Sequence, residues 1–328
     1  MFNPYKYINA LGDKIEEYGG DIFVNTTCYD IDRKNDMYIC NTENNNIYAK
    51  NVVIASHYPF LNIPGFYFSK IYQSSSYVIA LDIGDKDFDG MYINIEKPIY
   101  SFRKVKYNDE NLILLGGGGH KTGEMQEKYI GYKGLLEAAK KWFPDCKIKY
   151  KWSANDCISL DKIPYIGEFS SIYTNVYVGT GFNKWGMTSS YVASKIVSDK
   201  ILGRENKYED IFKATRTNFF VNRDEVKNMV TDTLKAQVVY RIKEEKEIKP
   251  KRGEGRIIEK DGDKIGIYID ENGKTFAVKP VCSHLGCILS WNKDDKTWDC
   301  PCHGSRFDYT GKQLENPAIK DLEQVEFD

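Results

Sequence analysis

The sequence predicts two successive folds: an α+β domain over roughly the first two hundred residues and a smaller all-β domain at the C-terminal end. Three observations lead there. Amphipathic helical stretches alternate with apolar strands as far as Leu202. From Gly255 onward the runs are short, rich in β-formers and separated by turn residues. Between them Glu205 to Glu247 is charged and helical in pattern, and Lys249-Pro250-Lys251-Arg252-Gly253 reads as a linker. The expected division is a first domain at 1–220, a connector at 221–250 and a second domain at 251–328. A chain of 328 residues, 41% hydrophobic, can bury both cores, and its net charge of -1 offers no basic footprint for nucleic acid. No apolar run approaches the length of a membrane helix. A soluble, cytoplasmic protein that engages neither membrane nor nucleic acid is therefore expected.

Asn3-Pro4 caps a helix whose Tyr7, Ile8, Leu11 and Ile15 share one face, and Gly19-Gly20 ends it before a strand expected at Asp21 to Val24. Met37 to Asn41 and Ile47 to Ala49 predict a hairpin, followed by the apolar strand Val52 to Ala55. Gly116-Gly117-Gly118-Gly119 is expected as a flexible strand-end turn, and Lys128 to Phe143 as an amphipathic helix. Strand Val176 to Val178 runs through a glycine-lined turn into a helix from Met187 to Leu202, so backbone N–H groups and a positive dipole end face whatever lies beyond. In the second domain Gly255 to Lys260, Lys264 to Asp270 and Lys274 to Val278 read as strands, with Glu271-Asn272-Gly273 turning the last pair. Cys28, Cys40, Cys146 and Cys157 are expected as reduced core residues.

The chemistry concentrates in two boxes, Cys282-Ser283-His284-Leu285-Gly286-Cys287 and Cys300-Pro301-Cys302-His303-Gly304-Ser305. Each supplies one Cys and one His at like positions, a set that can hold either a two-iron, two-sulfide cluster or a tetrahedral zinc ion. Zinc leaves the second cysteine pair unexplained. The boxes resemble those of Rieske [2Fe-2S] domains, over about the last quarter of the chain. The resemblance implies Cys282, His284, Cys300 and His303 as ligands, Cys287 and Cys302 as a disulfide joining the loops, and Ser305 as a donor to a bridging sulfide. Phe307 stands where high-potential relatives carry a tyrosine that bonds a ligand sulfur. Asn316-Pro317-Ala318 matches the third loop over the cluster, with Asn for the usual Gly.

The first domain resembles the C-terminal two-thirds of an FAD-dependent oxidoreductase of the D-amino-acid oxidase-like superfamily. Val52-Val53-Ile54-Ala55-Ser56-His57 is similar to the strand returning beneath the dinucleotide, with His57 expected to be structural. Asp161-Lys162-Ile163-Pro164-Tyr165-Ile166-Gly167 is similar to the stretch beside the flavin ring, and Gly179-Thr180-Gly181-Phe182 with Trp185-Gly186-Met187 to the closing flavin motif. The resemblance implies FAD contacts at Asp161, Pro164, Gly167, Gly179, Gly181, Phe182, Gly186 and Met187, backbone contacts around Val24 to Thr27, and an antiparallel sheet on the substrate side. No G-x-G-x-x-G occurs in the chain, so it is expected to start inside the family's FAD domain and to bind FAD weakly alone.

Arg103 and His120 are the expected substrate-side residues, Arg103 pairing with a carboxylate, while Lys121 is expected as surface charge. The function implied is oxidation of an amine or amino-acid-like small molecule at FAD. Electrons would pass between flavin, the cluster and an outside redox partner. A carrier that works through its cluster alone and a zinc-bound interaction module are the competing expectations.

Overall fold

The computed structural model describes residues 2–84, 86–124, 131–216, 231 and 248–327. They form two compact units, divided between Val52 and Val53.

In the first unit, helix α1 (Pro4–Glu17) starts where the Asn3 side chain accepts the Lys6 N–H, 3.2 Å away, and places Pro in the first turn. It ends as expected: Gly19 takes φ +81° and the Gly20 N–H reaches the Ile15 carbonyl. Strands β1 (Cys28–Lys34), β2 (Met37–Thr42) and β3 (Asn46–Ala49) form an antiparallel sheet in that order, with Ile31 and Tyr38 buried. The strand expected at Asp21 to Val24 does not form. Ile22, Phe23 and Val24 stay exposed with no ladder partner among the described residues, and an apolar run without a partner has no sheet to join. The strand forms instead at β1, whose Ile31 faces inward between charged neighbours.

Strand β4 (Val52–Ile54) leads into the second unit, where a short 3-10 turn at Tyr67–Ser69 precedes β5 (Ile71–Asp82). Strands β6 (Met91–Ile93), β7 (Ser101–Tyr107) and β8 (Glu110–Lys121) follow. Helix α2 (Gly131–Trp142) and β9 (Lys147–Ser159) then complete an antiparallel sheet ordered β6-β7-β8-β5-β9. Burial alternates along β5, so Ile71, Gln73, Ser75, Tyr77, Ile79 and Leu81 share the inner face. Leu135, Ala138 and Ala139 of α2 pack on Tyr77, Ile79 and Leu115.

The glycine row lies inside β8 rather than at a strand end. A Cβ on Gly117 would come within 2.8 Å of the Ile99 carbonyl, and one on Gly118, at φ +65°, within 2.8 Å of the Gly131 carbonyl. The β5–β8 register shifts between Ser75 and Tyr77, so these glycines serve a bulge and the close approach of neighbouring backbone.

Strands β10 (Tyr165–Glu168) and β11 (Val176–Thr180) form a sheet with β4, and helix α3 (Gly186–Ile201) follows β11 directly. A short helix α4 (Glu209–Phe212) comes next; most of the helix expected at Glu205 to Glu247 lies outside the described residues. The C-terminal part is all β. Strands β12 (Gly255–Lys260), β13 (Asp263–Ile269) and β14 (Thr275–Val278) form one sheet. Strands β15 (Ser290–Asn292), β16 (Thr297–Asp299), β17 (Arg306–Asp308) and β18 (Gln313–Glu315) form another. Gly273, at φ +90°, closes the expected turn between β13 and β14. Of the four remaining cysteines, Cys157 is buried while Cys28, Cys40 and Cys146 are half-buried; all four are free thiols. No helix among the described residues is long and apolar enough to cross a membrane.

Candidate metal centre and its flank

The two boxes fold as matching loops. In the first, the Cys282 N–H bonds the Cys287 carbonyl at 2.8 Å and the Gly286 N–H bonds the Cys282 carbonyl at 3.0 Å. In the second, the Cys300 N–H bonds the Ser305 carbonyl at 2.8 Å and the Gly304 N–H the Cys300 carbonyl at 2.9 Å. Gly286 and Gly304 take φ of +74° and +83°, the left-handed turn that each loop requires. A Cys287–Cys302 disulfide, Cα atoms 6.7 Å apart, ties the loops together. The third loop joins through the Ala318 N–H, which donates to Ser305 Oγ at 2.9 Å.

The arrangement brings together all four residues singled out as ligands. Cys282 and Cys300 are buried and hydrogen-bonded to one another; sharing that proton draws the Cys282 thiol down to about 7 and pushes the Cys300 thiol up. The His284 and His303 rings lie edge to face, 5.0 Å apart, and burial lowers their pKa values to about 4 and about 3. Both imidazoles are neutral at pH 7, as ligands must be. Both Nδ1 atoms are buried with no partner among the described residues. Two sulfurs competing for one proton and two unsatisfied imidazole nitrogens make a donor set that fits a mixed thiolate–imidazole centre. The Cys287, Cys300 and Cys302 sulfurs lie within 4.8 Å of one another, but two of those three are spent in the disulfide.

Behind the loops sits a charged network that sequence reasoning missed. Arg306, 5% exposed, donates to Asp295 at 2.7 Å, Asp299 at 3.1 Å and Glu315 at 3.2 Å. Ser153 of β9 and Tyr132 of α2 also donate to Asp295, at 2.7 and 3.4 Å, so the network reaches from the C-terminal strands into the preceding sheet.

The histidine edge faces that same sheet. Asn62 Oδ1 hydrogen-bonds His284 Nε2, and the Phe68 ring meets the edge of His303 at 5.9 Å. Gln73 Nε2 donates to the Asn316 carbonyl at 2.5 Å and, at 3.4 Å, to the His303 carbonyl. A Cβ on Gly304 would lie 2.4 Å from Gln73 Cβ, and one on Gly123 within 2.5 Å of Cys300 and Pro301 backbone. One signal for Gln73 is present in the sequence: with Ser75 it is a polar residue on the inward parity of a strand that otherwise carries Ile, Tyr and Leu there.

On the flavin-motif side, Gly167 and Gly181 take φ of +119° and +70°, and α3 begins at Gly186 without a side-chain cap on its N-terminus. Gly179, Gly181, Phe182, Val53, His57 and the Ala193 side of α3 line a cleft of about 480 Å³. His57 follows β4 at φ +64°, and its carbonyl accepts the Thr180 hydroxyl at 2.6 Å. Asp161 is fully engaged: Arg216 grips its carboxylate at 2.7 and 2.9 Å, donates to the Pro164 carbonyl at 3.0 Å and stacks 3.7 Å over Tyr165.

Arg103 and His120 are not brought together. Arg103 pairs with Leu114 across β7–β8, so His120 lies six residues further along β8, about 20 Å at the usual strand rise. His120 is buried and stacked on Tyr77 at 5.7 Å, and burial lowers its pKa to about 4 against the opposing charges of Asp299 and Asp295. Lys121 is half-buried, and its charge acts on His303.

Residues 1–200 match the family of FAD dependent oxidoreductases. The chain belongs to this family. Residues 238–326 match the Rieske [2Fe-2S] domain, so this FAD dependent oxidoreductase chain also carries the module whose cofactor is a two-iron, two-sulfide cluster. It is 36% identical over its whole length to a Bacillus subtilis (strain 168) protein bearing the name Rieske 2Fe-2S iron-sulfur protein YhfW, and spans 65% of that protein's length. A 47-residue stretch is 47% identical to the cytochrome b6-f complex iron-sulfur subunit 1 of Nostoc sp. (strain PCC 7120), covering 14% of this chain and 26% of the subunit. In fold it is similar to glycine oxidase from Geobacillus kaustophilus (TM-score 0.50, 19% identity, 64% of this chain and 57% of that one). It is also similar to L-proline dehydrogenase from P. horikoshii (TM-score 0.52, 16% identity, 65% and 59%). At these identities the likeness is one of fold. It agrees with the expected α+β first domain, and the Rieske match with the expected all-β second domain.

Proposed function

We propose that the whole protein oxidises an amine or amino-acid-like small molecule at FAD and exchanges the electrons with a Rieske cluster held by Cys282, His284, Cys300 and His303. Residues 1–220 would serve the flavin, 251–328 the cluster, and 221–250 would connect them. When bound, FAD accepts two electrons from a C–H bond beside nitrogen, and the cluster carries electrons singly to or from a redox partner.

The main support is Gln73. Its side chain bonds the second and third cluster loops, while its strand neighbour across β5–β9 is Cys157. The Cys157 carbonyl in turn accepts the Asn183 N–H at 3.0 Å, in the turn that opens α3. Gln73, its register neighbour Cys157 and Asn183 thus lie in succession between the cluster loops and the flavin-motif turn.

The chain's residues have separable roles. Cys282 and Cys300 supply thiolates, and His284 and His303 supply neutral nitrogens, with Ser305 placed to donate its hydroxyl proton to sulfur while its oxygen holds Ala318. Gly179, Gly181, Phe182, Gly186 and Met187 would face the flavin ring from the uncapped start of α3, where N–H groups favour developing negative charge. Asp161, Pro164 and Gly167 would flank the ring through backbone held in place by Arg216. Pyrophosphate recognition is assigned to no residue here, because no G-x-G-x-x-G occurs. Arg103 is retained as a proposed partner for a substrate carboxylate; the buried position of His120 supports packing at the cluster side instead.

The test is anaerobic addition of primary and secondary amines and amino acids to protein loaded with FAD, following flavin absorbance and the electron paramagnetic resonance of the reduced cluster. A substrate that bleaches the flavin should raise the cluster signal in the same sample. Flavin reduction that never reaches the cluster would sink the electron path, and a cluster reducible only in protein that takes up no FAD would make this an electron carrier. The tuning of the cluster can be probed separately. Phe307 is fully buried in the core that contains Cys282 and Cys300, so Phe307→Tyr should raise the midpoint potential by adding a hydroxyl donor near sulfur. An unchanged or lower midpoint in voltammetry would show that no such bond forms.

A further inference from the structure

Strand β6 closes one side of the five-stranded sheet, so its outer edge has no ladder partner among the described residues. The Asn94 N–H bonds the Tyr100 carbonyl at 3.1 Å across the turn into β7, and in an antiparallel pair such bonds fall on every second residue. Tyr92 therefore bonds inward to Phe102, and the backbone N–H and C=O groups of Met91 and Ile93 point away from the sheet. The side chains are equally uncovered. Met91, Tyr92 and Ile93 are all exposed, and Ile95 in the turn that follows is 94% exposed.

The opposite edge of the same sheet is built differently. Strand β9 opens with Lys147-Ile148-Lys149-Tyr150-Lys151, and lysines repeated along an edge discourage pairing with another chain. Met91 to Ile95 carries no charge at all. An apolar edge with outward donors and acceptors is a template for a further strand.

The segment is complementary to itself. Its two outward-bonding residues flank Tyr92, so antiparallel pairing of β6 with another β6 about a twofold axis at Tyr92 sets Met91 against Ile93 on both sides of the axis. Every outward N–H and C=O of the strand is then bonded. Charge follows the same register: Asp87 and Asp89 precede β6, Lys97 follows it, and all three are exposed without an ion-pair partner among the described residues. Lys86 is already held by Asp145 at 3.2 Å. Residues equally far before and after Tyr92 come opposite one another, so Lys97 of one copy meets Asp87 of the other, with Asp89 beside it, while Glu96 falls opposite Phe88.

We propose that two copies of this chain join β6 to β6 about a twofold axis at Tyr92, continuing the two five-stranded sheets into one. Backbone bonds and the Met91–Ile93 contacts supply the adhesion, and the two Asp87–Lys97 pairs fix the register.

The experiment uses the full chain. Sedimentation equilibrium at micromolar concentration should give twice the 37.8 kDa of one chain, and Ile93→Lys, which puts a charge into the seam, should return it to monomer with an unchanged circular dichroism spectrum. Lys97→Asp should weaken the dimer several-fold at low salt, and Lys97→Asp combined with Asp87→Lys should restore it. Tyr92→Cys reads the register, because the axis sets the two introduced thiols at a pair of positions with Cα atoms about 4.5 Å apart, within disulfide reach. Diamide should link this variant into a covalent dimer and leave the unmodified protein and Ile95→Cys unlinked. A monomer at every concentration overturns the proposal. So does a dimer that survives Ile93→Lys and does not link through position 92, which would place the interface elsewhere. Monomeric protein that cosediments with anionic phospholipid vesicles also overturns it and gives the edge to a lipid surface.

Discussion

Arg306→Ala should destabilise the protein by about 3–5 kcal/mol, the usual result of deleting one partner from a buried ionic network. Arg306 is the cation for Asp295, Asp299 and Glu315, and its removal leaves those carboxylates facing one another with little water. Asp299 is 1% exposed, so solvent screening offers little relief. Chemical denaturation followed by tryptophan fluorescence would measure the change, since Trp298 lies next to Asp299 on β16. The network also includes Ser153 and Tyr132, so loss of stability should come with loosened seating of the C-terminal strands, visible as faster hydrogen exchange in β9 and β16. Arg306→Lys should recover part of the stability, because a single ammonium cannot reproduce the guanidinium fork. A change below about 1 kcal/mol for the alanine variant would show that the carboxylates find other partners or bind protons at little cost.

The second large effect is on the centre itself. Anaerobically purified protein should contain about two irons and two acid-labile sulfides per chain, and His303→Ala should remove both. His303 is 4% exposed, and its Nδ1 has no hydrogen-bond partner among the described residues. Ser305→Ala is the contrasting variant, expected to keep the cluster and lower its potential, since Ser305 offers a hydroxyl rather than a ligand. Stoichiometric zinc without sulfide in the unmodified protein would defeat the iron–sulfur assignment.

What could be read from the chain follows the range of the interactions. The cluster loops were legible because their information is local: ligand, glycine and second cysteine all lie within six residues. The Asn3 cap, the Gly19 stop and the Gly273 turn were legible for the same reason, each being a conformational demand met by the residue itself. The glycine row was misread because its cause is the backbone of Ile99 and Gly131 pressing against it, which no window around residue 117 contains. Ile22 to Val24 had strand composition but no partner strand among the described residues, and composition does not report pairing. Asn62, Gln73, Arg216 and Arg306 act across separations that one sequence cannot connect. Asp161 was expected as an FAD contact; its carboxylate is engaged by Arg216, 55 positions away.

The contact between Gly304 and Gln73, with that between Gly123 and the Cys300–Pro301 backbone, sets an order on how the protein is made. Cys300 and His303 are covered by β5 and by the turn after β8, so a scaffold delivering iron and sulfide cannot reach them once the strands are seated. The order expected from this burial is loading first and closure second, with Gln73 uncovered until the filled loops settle onto it. Supplying iron and sulfide after closure should yield poorly filled protein, and supplying them during refolding should yield filled protein.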